Sequence, residues 1–255
     1  MCTAVVSFEP DSIFPVLLVG VRDEFASRPW EPPAGHWTDR PSLIGGRDLL
    51  AGGTWLAVDP DVPRAACILN GHGPLAPEGI RASRGELPLR LVAEGGLGDF
   101  EPKRYDPFHL LGAEPDAVRM WSWDGEELTE QILTSGLHII VNSGLEGRGG
   151  RHTGPGMDEM AARIAYFRPL LATAHRPEPG AGPTVPAWGE WLPLIDGDGL
   201  DRDDPRALVV RRDLGEGRIW GTGSISLVAL TRDGLRYDFS GVPGDPRAWR
   251  TVHPS

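Results

Sequence analysis

The chain opens with residues 1–8, Met-Cys-Thr-Ala-Val-Val-Ser-Phe, which place a cysteine second and a β-like run directly after it. Removal of Met1 as the initiator residue would leave Cys2 with both a thiol and a free α-amine. A thiol of pKa about 8.5 beside an amine of pKa about 8 has its own base for the thiol proton near neutral pH. The opening residues therefore suggest a nucleophile at the start of a strand.

Short β-like runs dominate the first two thirds of the chain, and turn dipeptides such as Asp124-Gly125 separate them. The predicted strands cover residues 3–8, 15–21, 54–58, 65–69, 108–112, 118–123, 127–133 and 138–141, and a last hairpin covers 219–230 and 234–239. Helices are predicted at 85–93 and 157–174, because apolar residues recur every three or four positions in the second stretch. A short helix is also expected at 188–194.

Strands first, a helical layer between them and strands again at the end predict an α+β protein with mostly antiparallel sheets. Two sheets packed between helical layers fit this order. We expect a single domain over residues 1–255, since no break precedes residue 175. A Pro/Gly connector and an acidic loop are expected at about 177–215.

The composition narrows the classes of partner. The 255 residues are 40% hydrophobic, enough for a sizeable core, and carry a net charge of −11. A nucleic-acid partner is therefore not expected. Lys103 is the single lysine among many arginines, as in proteins from GC-rich bacterial genomes, so no arginine stands out by abundance.

The start of the chain lacks a basic segment followed by an apolar run, and no stretch reaches the roughly 18 apolar residues that a membrane span needs. We therefore expect a cytoplasmic protein. The two cysteines, Cys2 and Cys67, do not make a disulfide framework. Cys67 lies in an apolar run and is expected to be a small buried side chain.

Five short motifs follow one another along the chain, and as an ordered set they resemble the NRDE family, also called the transport and Golgi organisation 2 family. The motifs are Val21-Arg22-Asp23-Glu24-Phe25, Gly52-Gly53-Thr54-Trp55-Leu56, Ser83-Arg84-Gly85, the stretch 136–143 and Gly221-Thr222-Gly223-Ser224. Two positions depart from the family pattern: Val21 stands where the family has asparagine, and Gly223 where it has arginine.

The resemblance implies a four-layer αββα sandwich of the N-terminal-nucleophile type, similar to choloylglycine hydrolases and penicillin V acylases, which cleave carbon-nitrogen amide bonds. Cys2 would then be the nucleophile. Arg22 would lower the thiol pKa, and Asp23 would accept a hydrogen bond from the α-ammonium. Asn70 and Asn142 would hold the oxyanion.

Structural alternatives exist for each of these residues. Arg22 and Asp23 are neighbours, so on a regular strand they point to opposite faces, and both line one pocket only if the strand ends or bulges. Arg22 or Glu24 could instead pair with another charge at the sheet edge. Asn70 and Asn142 each follow an apolar run, and asparagine often ends a strand and starts a turn.

Three functions remain open. The first is an amidohydrolase without a cofactor that acts on a linear amide. The second is a carrier of a hydrophobic ligand, such as a lipid or haem, in the manner of eukaryotic relatives linked to haem trafficking; the axial ligand candidates are Cys2, His72 and His138. The third is a scaffold for another protein. Scattered histidines do not predict a zinc site, and the aspartates at 196–204 lack the order of a calcium loop.

Overall fold

A computed structural model describes residues 2–148 and 152–254 of the chain. In chain order the strands are β1 (Thr3–Phe8), β2 (Val16–Phe25), β3 (Trp30–Ala34), β4 (Ile44–Asp48), β5 (Leu56–Asp59), β6 (Arg64–Asn70), β7 (Phe108–Glu114), β8 (Ala117–Trp123), β9 (Leu128–Ile132), β10 (Gly136–Val141), β11 (Gly144–Leu145), β12 (Arg211–Asp213), β13 (Ile219–Leu230), β14 (Leu235–Ser240) and β15 (Trp249–His253). The helices are α1 (Glu86–Glu94), α2 (Met157–Thr173), α3 (Thr184–Trp188) and α4 (Trp191–Ile195).

The strands form two antiparallel sheets. Sheet A has the order β11-β10-β1-β2-β13-β14-β15, with β12 also paired to β13, and sheet B has the order β3-β4-β5-β6-β7-β8-β9. Sheet B is a simple meander. In sheet A, β1 lies between β2 and β10, so the start of the chain is at the centre of the sheet.

Three apolar layers hold the fold together. Along β1, Ala4 and Val6 point into the core between the two sheets, while Val5 points to the opposite face of sheet A. That opposite face is covered by α2, α3 and α4, and α1 covers the outer face of sheet B. The order of layers is helix, sheet, sheet, helix, which confirms the predicted α+β class and the αββα arrangement.

The residue types of β1 explain why this strand was predictable. Its residues are buried on both faces, and their β-branched and aromatic side chains suit a central strand. Cys67 on β6 lies in the core between the sheets and is buried, as expected, and burial raises the pKa of its thiol.

Some elements differ from the prediction. β3 was missed because it contains Pro32 and Pro33, which are tolerated at a sheet edge. β4 was missed because of Gly45 and Gly46, which carry no side chain to signal a strand. Both glycines are required by packing, since a Cβ on either would collide with the neighbouring strand β5 or with Trp55.

The segment 177–215 is more ordered than the predicted connector and acidic loop. It contains α3, α4 and β12, and the expected single helix at 188–194 is two short helices separated by Gly189 in the left-handed region, at φ +48°. The buried Trp188 indole donates a hydrogen bond to Asp238 at 2.8 Å. Among the helices that the structure describes, none is long and apolar enough to cross a membrane.

Candidate active site

Cys2 directly precedes β1, the strand of sheet A that pairs with both β2 and β10. The register pairs Thr3 with Val21 on β2 and with Val141 on β10. One position earlier, Cys2 is therefore placed between Arg22 and Asn142. Its half-buried side chain packs against the core between the sheets, and its Sγ donates a hydrogen bond to the main-chain oxygen of Asp23 at 3.6 Å.

A cleft of about 400 Å³ opens at this point between the two sheets. Its walls include the end of β2, the loop before β5, the end of β6 and the loop that leads into α1. Three of these segments, all but the end of β6, carry one of the sequence motifs. Cys2, Arg22, Asp23, Trp55, Asn70 and Arg84 are among the lining residues.

Arg22 is buried and points into the cleft. Its guanidinium lies 4.6 Å from the centre of the Trp55 ring, and its Nη2 lies 3.5 Å from Oδ2 of Asp48. Burial lowers the pKa of Arg22, while the nearby carboxylates and Cys2 raise it. A guanidinium remains charged under these conditions, so Arg22 supplies a fixed positive charge beside Cys2.

Asp48 is held in place by several donors. Arg28 donates to it from Nε at 2.6 Å, and the main-chain N–H groups of Leu50 and Ala51 donate at 3.0 Å and 2.9 Å. Burial raises the pKa of Asp48, but the hydrogen bonds from Arg28 and the main chain outweigh it and lower the pKa overall. Asp48 is therefore negatively charged, and it pairs with both Arg22 and Arg28 at one wall of the cleft.

Asp23 presents different groups to the two faces of sheet A. Its main-chain oxygen accepts the hydrogen bond from Cys2, whereas its carboxylate accepts one from Thr222 Oγ1 at 2.6 Å. The carboxylate also lies 3.6 Å from Nη1 of Arg163 on α2, and both side chains are almost fully buried. Since β2 continues to Phe25, Arg22 and Asp23 follow the strand alternation and point to opposite faces.

The two asparagines are joined by a hydrogen bond. Asn70 ends β6, is exposed and lines the cleft, while Asn142 is buried directly after β10. Asn142 Nδ2 donates to the main-chain oxygen of Asn70 at 2.7 Å. Asn142 Oδ1 is buried without a hydrogen-bond partner in the part of the chain that the structure describes.

The acid-base state of Cys2 follows from its surroundings. Burial raises the pKa of the Cys2 thiol, and the Asp23 carboxylate raises it further. The hydrogen bond to Asp23 and the charge of Arg22 lower it, but by less. The thiol is therefore neutral in this state, and a thiolate requires an adjacent base.

Several residues of the site gave little signal in the sequence. Arg163 is buried and donates to Thr3 Oγ1 at 2.7 Å, so it joins α2 to the first strand. In a chain rich in arginine, nothing marked it. His109 was also missed: it contacts the main-chain oxygen of Asn142 through Nε2 at 3.2 Å and Ser122 through Nδ1 at 2.9 Å.

The family model described as Transport and Golgi organisation 2 matches residues 1–163. The chain belongs to this family. Among solved structures, this family member is similar to the Caenorhabditis elegans N-acylethanolamine-hydrolyzing acid amidase ortholog, with 10% identity, a TM-score of 0.49 and coverage of 97% of this chain and 95% of that chain. No curated protein sequence matches this family member.

In this Transport and Golgi organisation 2 family member, Gly223 forms an irregularity in β13 opposite Arg22 and Asp23, where the register shifts between Thr222 and Ser224. A Cβ built on Gly223 would lie 3.6 Å from Nη1 of Arg22. The Arg22 guanidinium therefore occupies the space beside the position at which the family motif has its own arginine.

The three candidate axial ligands do not lie together in this family member. Cys2 lines the cleft, whereas neither His72 nor His138 is among the described residues that line it. His138 lies at the far end of β10, opposite Val6, and its Nε2 contacts the main-chain oxygen of Thr134 at 2.7 Å. In the described residues, no group of three or more histidine, cysteine or acidic side chains is placed to hold a metal ion.

Proposed function

We propose that this member of the Transport and Golgi organisation 2 family is a hydrolase that cleaves a linear amide with Cys2 as an N-terminal nucleophile. The observation that supports it is the placement of Cys2 in a cleft between the guanidinium of Arg22 and the paired asparagines Asn70 and Asn142. A nucleophile, a cation and an amide donor at one point are the groups that acyl transfer requires.

The first step is removal of Met1, which converts the main-chain nitrogen of Cys2 into a free α-amine. Burial raises the pKa of the thiol, so the thiol needs a base, and the freed amine of the same residue is the base that would take its proton. The register places this end of Cys2 beside Asp23, so Asp23 would orient the resulting ammonium. Arg22, on the same side as the Sγ, stabilises the thiolate.

The thiolate then attacks the carbonyl carbon of the amide, and the carbonyl oxygen becomes an oxyanion. Asn70 lines the cleft and is the side chain that would donate to it. We assign Asn142 the role of holding Asn70, since its Nδ2 is already bonded to the Asn70 main chain.

Collapse of the tetrahedral intermediate breaks the carbon-nitrogen bond. The leaving amine takes the proton from the Cys2 ammonium, and a thioester remains on Sγ. Water, deprotonated by the Cys2 amine, hydrolyses the thioester to a carboxylic acid and restores the thiol. No cofactor takes part in this sequence of steps, and both protons pass through the same amine.

The proposal is tested with a panel of linear amides that differ in acyl chain and share one chromogenic amine. We expect turnover by the wild type and an acyl adduct on Cys2 in intact-mass spectra. Cys2→Ala should abolish both, and Cys67→Ala should retain both, because Cys67 lies in the core between the sheets. Equal turnover in Cys2→Ala and the wild type would contradict the proposal.

The carrier hypothesis makes a different prediction for the same proteins. A carrier binds its hydrophobic ligand without turnover, and Cys2→Ala leaves that binding intact. The charged walls of the cleft do not favour it, because ligand sites for apolar molecules are lined mostly by hydrophobic side chains.

A further inference from the structure

The charged side chains that line the Cys2 cleft are nearly all paired. The pairs are Arg22 with Asp48 at 3.5 Å, Arg28 with Asp48 at 2.6 Å and with Glu24 at 3.8 Å, Arg81 with Asp106 at 3.2 Å, and Asp23 with Arg163 at 3.6 Å. Arg163 lies on α2 and is not one of the residues that line the cleft. Within the part of the chain that the structure describes, Arg84 is the charged lining residue that remains without an ion pair.

Arg84 makes no ion pair with any carboxylate of the described residues. Its Nη1 donates to the main-chain oxygen of Pro107 at 2.7 Å. The side chain is half-buried, and burial lowers the pKa of its guanidinium, which Asp106 and Cys2 raise in part. Arginine keeps its charge at neutral pH, so the cleft holds one positive charge that no carboxylate of the described residues pairs with directly.

The main chain around Arg84 is rigidly placed against the opposite wall of the cleft. The N–H of Thr54 donates to the main-chain oxygen of Gly85 at 2.8 Å, and a Cβ on Gly53 would collide with Gly85. The N–H of Leu87 donates to the main-chain oxygen of Arg84 at 3.0 Å. The guanidinium is therefore held on a fixed support beside the wall that contains Trp55.

We propose that Arg84 forms a subsite for a carboxylate on the molecule that enters the Cys2 cleft. A guanidinium presents parallel N–H donors that match a carboxylate, and such a pair is strong when it is partly shielded from water. A single surplus positive charge suits a monoanion, because a phosphate dianion would also be repelled by Asp48 and Asp106.

This subsite bears on the proposed function in one respect: if Cys2 cleaves an amide, the substrate class is amides that carry a carboxylate. The carboxylate would bind Arg84 while the amide carbonyl lies at Sγ. Arg84 and Cys2 line the same cleft, so one molecule can contact both groups. A neutral amide of the same size would lack this contact.

The test uses the alkylation of Cys2 by matched maleimides, so it does not depend on turnover. N-alkylmaleimides with a terminal carboxylate are compared with neutral N-alkylmaleimides of equal length, at several chain lengths. The rate of labelling of Cys2 is followed by intact mass, with Cys2→Ala as the control for labelling elsewhere. The quantity measured is the ratio of the anionic rate to the neutral rate.

We expect the ratio at the best chain length to fall about tenfold in Arg84→Gln, the effect of losing one charge-assisted contact. Arg84→Lys should keep part of the preference for the anionic maleimide, because lysine keeps the positive charge but lacks the paired N–H donors of the guanidinium. Arg104→Gln is the matched control: it removes the same charge from an exposed residue outside the cleft, and the ratio should not change.

Equal ratios in the wild type, Arg84→Gln and Arg104→Gln would overturn the subsite. A slow Cys2 or a retained Met1 would count against the proposed hydrolase, but both maleimides would slow together and the ratio would still report on Arg84. If Arg84→Gln loosens the fold, the rate of Cys2 labelling by the neutral maleimide rises. The result then depends on Arg84→Lys. Loss of the preference for the anionic maleimide in Arg84→Lys, with an unchanged rate for the neutral one, also overturns the subsite.

Discussion

Nη1 of Arg163 lies 3.6 Å from Oδ2 of Asp23, and both side chains are almost fully buried. The same guanidinium donates to Thr3 Oγ1 at 2.7 Å and to the main-chain oxygen of Ala207 at 2.9 Å. One side chain of α2 thus ties together the strand that follows Cys2, the strand that carries Arg22 and Asp23, and the segment before β12. Arg163 therefore links Thr3, the residue that follows Cys2, to α2.

Arg163→Met should lower the free energy of unfolding by about 3 to 5 kcal/mol, because it removes a cation from a buried carboxylate. Chemical denaturation measures the loss. The double variant Arg163→Met with Asp23→Asn should lose less than the sum of the two single changes, since the charge that lacks its cation is then removed as well. A loss below about 1 kcal/mol in Arg163→Met would show that this ion pair does not stabilise the fold.

Arg22 lies beside Gly223, where the family motif has arginine, and we predict that it serves as the cation for the Cys2 thiolate. Arg22→Ala should slow the labelling of Cys2 by a neutral maleimide by about tenfold at pH 7. Gly223→Arg in the Arg22→Ala background should recover part of the rate, because a Cβ at position 223 meets only ordinary contacts and the new guanidinium can enter the vacated space. Full loss without recovery would assign Arg22 a different role.

His109 predicts a pH dependence of stability. Its Nε2 carries the hydrogen that the Asn142 main-chain oxygen accepts, and its Nδ1 accepts from Ser122, so the folded protein needs neutral imidazole. Burial lowers the pKa of His109 from 6.5 to about 4. The unfolded chain therefore binds the proton first, and stability is lost as the pH falls from about 6.5 towards 4.

The expected loss is about 3 kcal/mol at pH 4 relative to pH 7, for a pKa difference of about 2.5. Burial also lowers the pKa of His72, which adds to the loss in the same direction. Denaturation curves measured from pH 4 to pH 7 give the unfolding free energy at each pH, and this energy should fall less steeply towards pH 4 in His109→Gln than in the wild type. The control is His175→Gln, at an exposed histidine. An equally steep fall in His109→Gln and the wild type would show that His109 does not cause the pH dependence.

Gly46 tests the packing of the cleft wall. A Cβ on Gly46 would overlap the Trp55 ring, on which Arg22 stacks. Gly46→Ala should therefore cost about 1 to 3 kcal/mol of unfolding free energy and change the rate of Cys2 labelling. Gly79→Ala is the matched control, because a Cβ there meets open space, and its effect should stay within about 0.5 kcal/mol. Similar effects from both changes would show that the overlap is relieved without cost.

The sequence predicted the regular parts of the fold because their side chains alternate or repeat. The strand Thr3–Phe8 has the predicted bounds, and α2 ends within one residue of its predicted end. β2 was predicted to stop at Val21, yet it continues through the charged residues to Phe25, because Asp23 is paired behind the sheet by Arg163. Such a pairing joins positions far apart in the chain, and no local pattern reveals it.

The candidate site was predictable only in part. The motif residues Cys2, Arg22, Asp23 and Asn70 line one cleft, whereas Asn142 lies behind it and contacts Asn70. Their roles remain proposals. The free charge of Arg84 could not be found from the sequence, because it emerges only when the partners of every other lining charge are known.

The intact mass of the untagged protein, before and after a short exposure to a neutral maleimide, shows whether Cys2 is a free and reactive N-terminal residue. We expect loss of Met1 and rapid addition of one maleimide that disappears in Cys2→Ala. A protein that retains Met1, or one in which Cys2 reacts no faster than a free thiol, would contradict the claim that Cys2 is an N-terminal nucleophile.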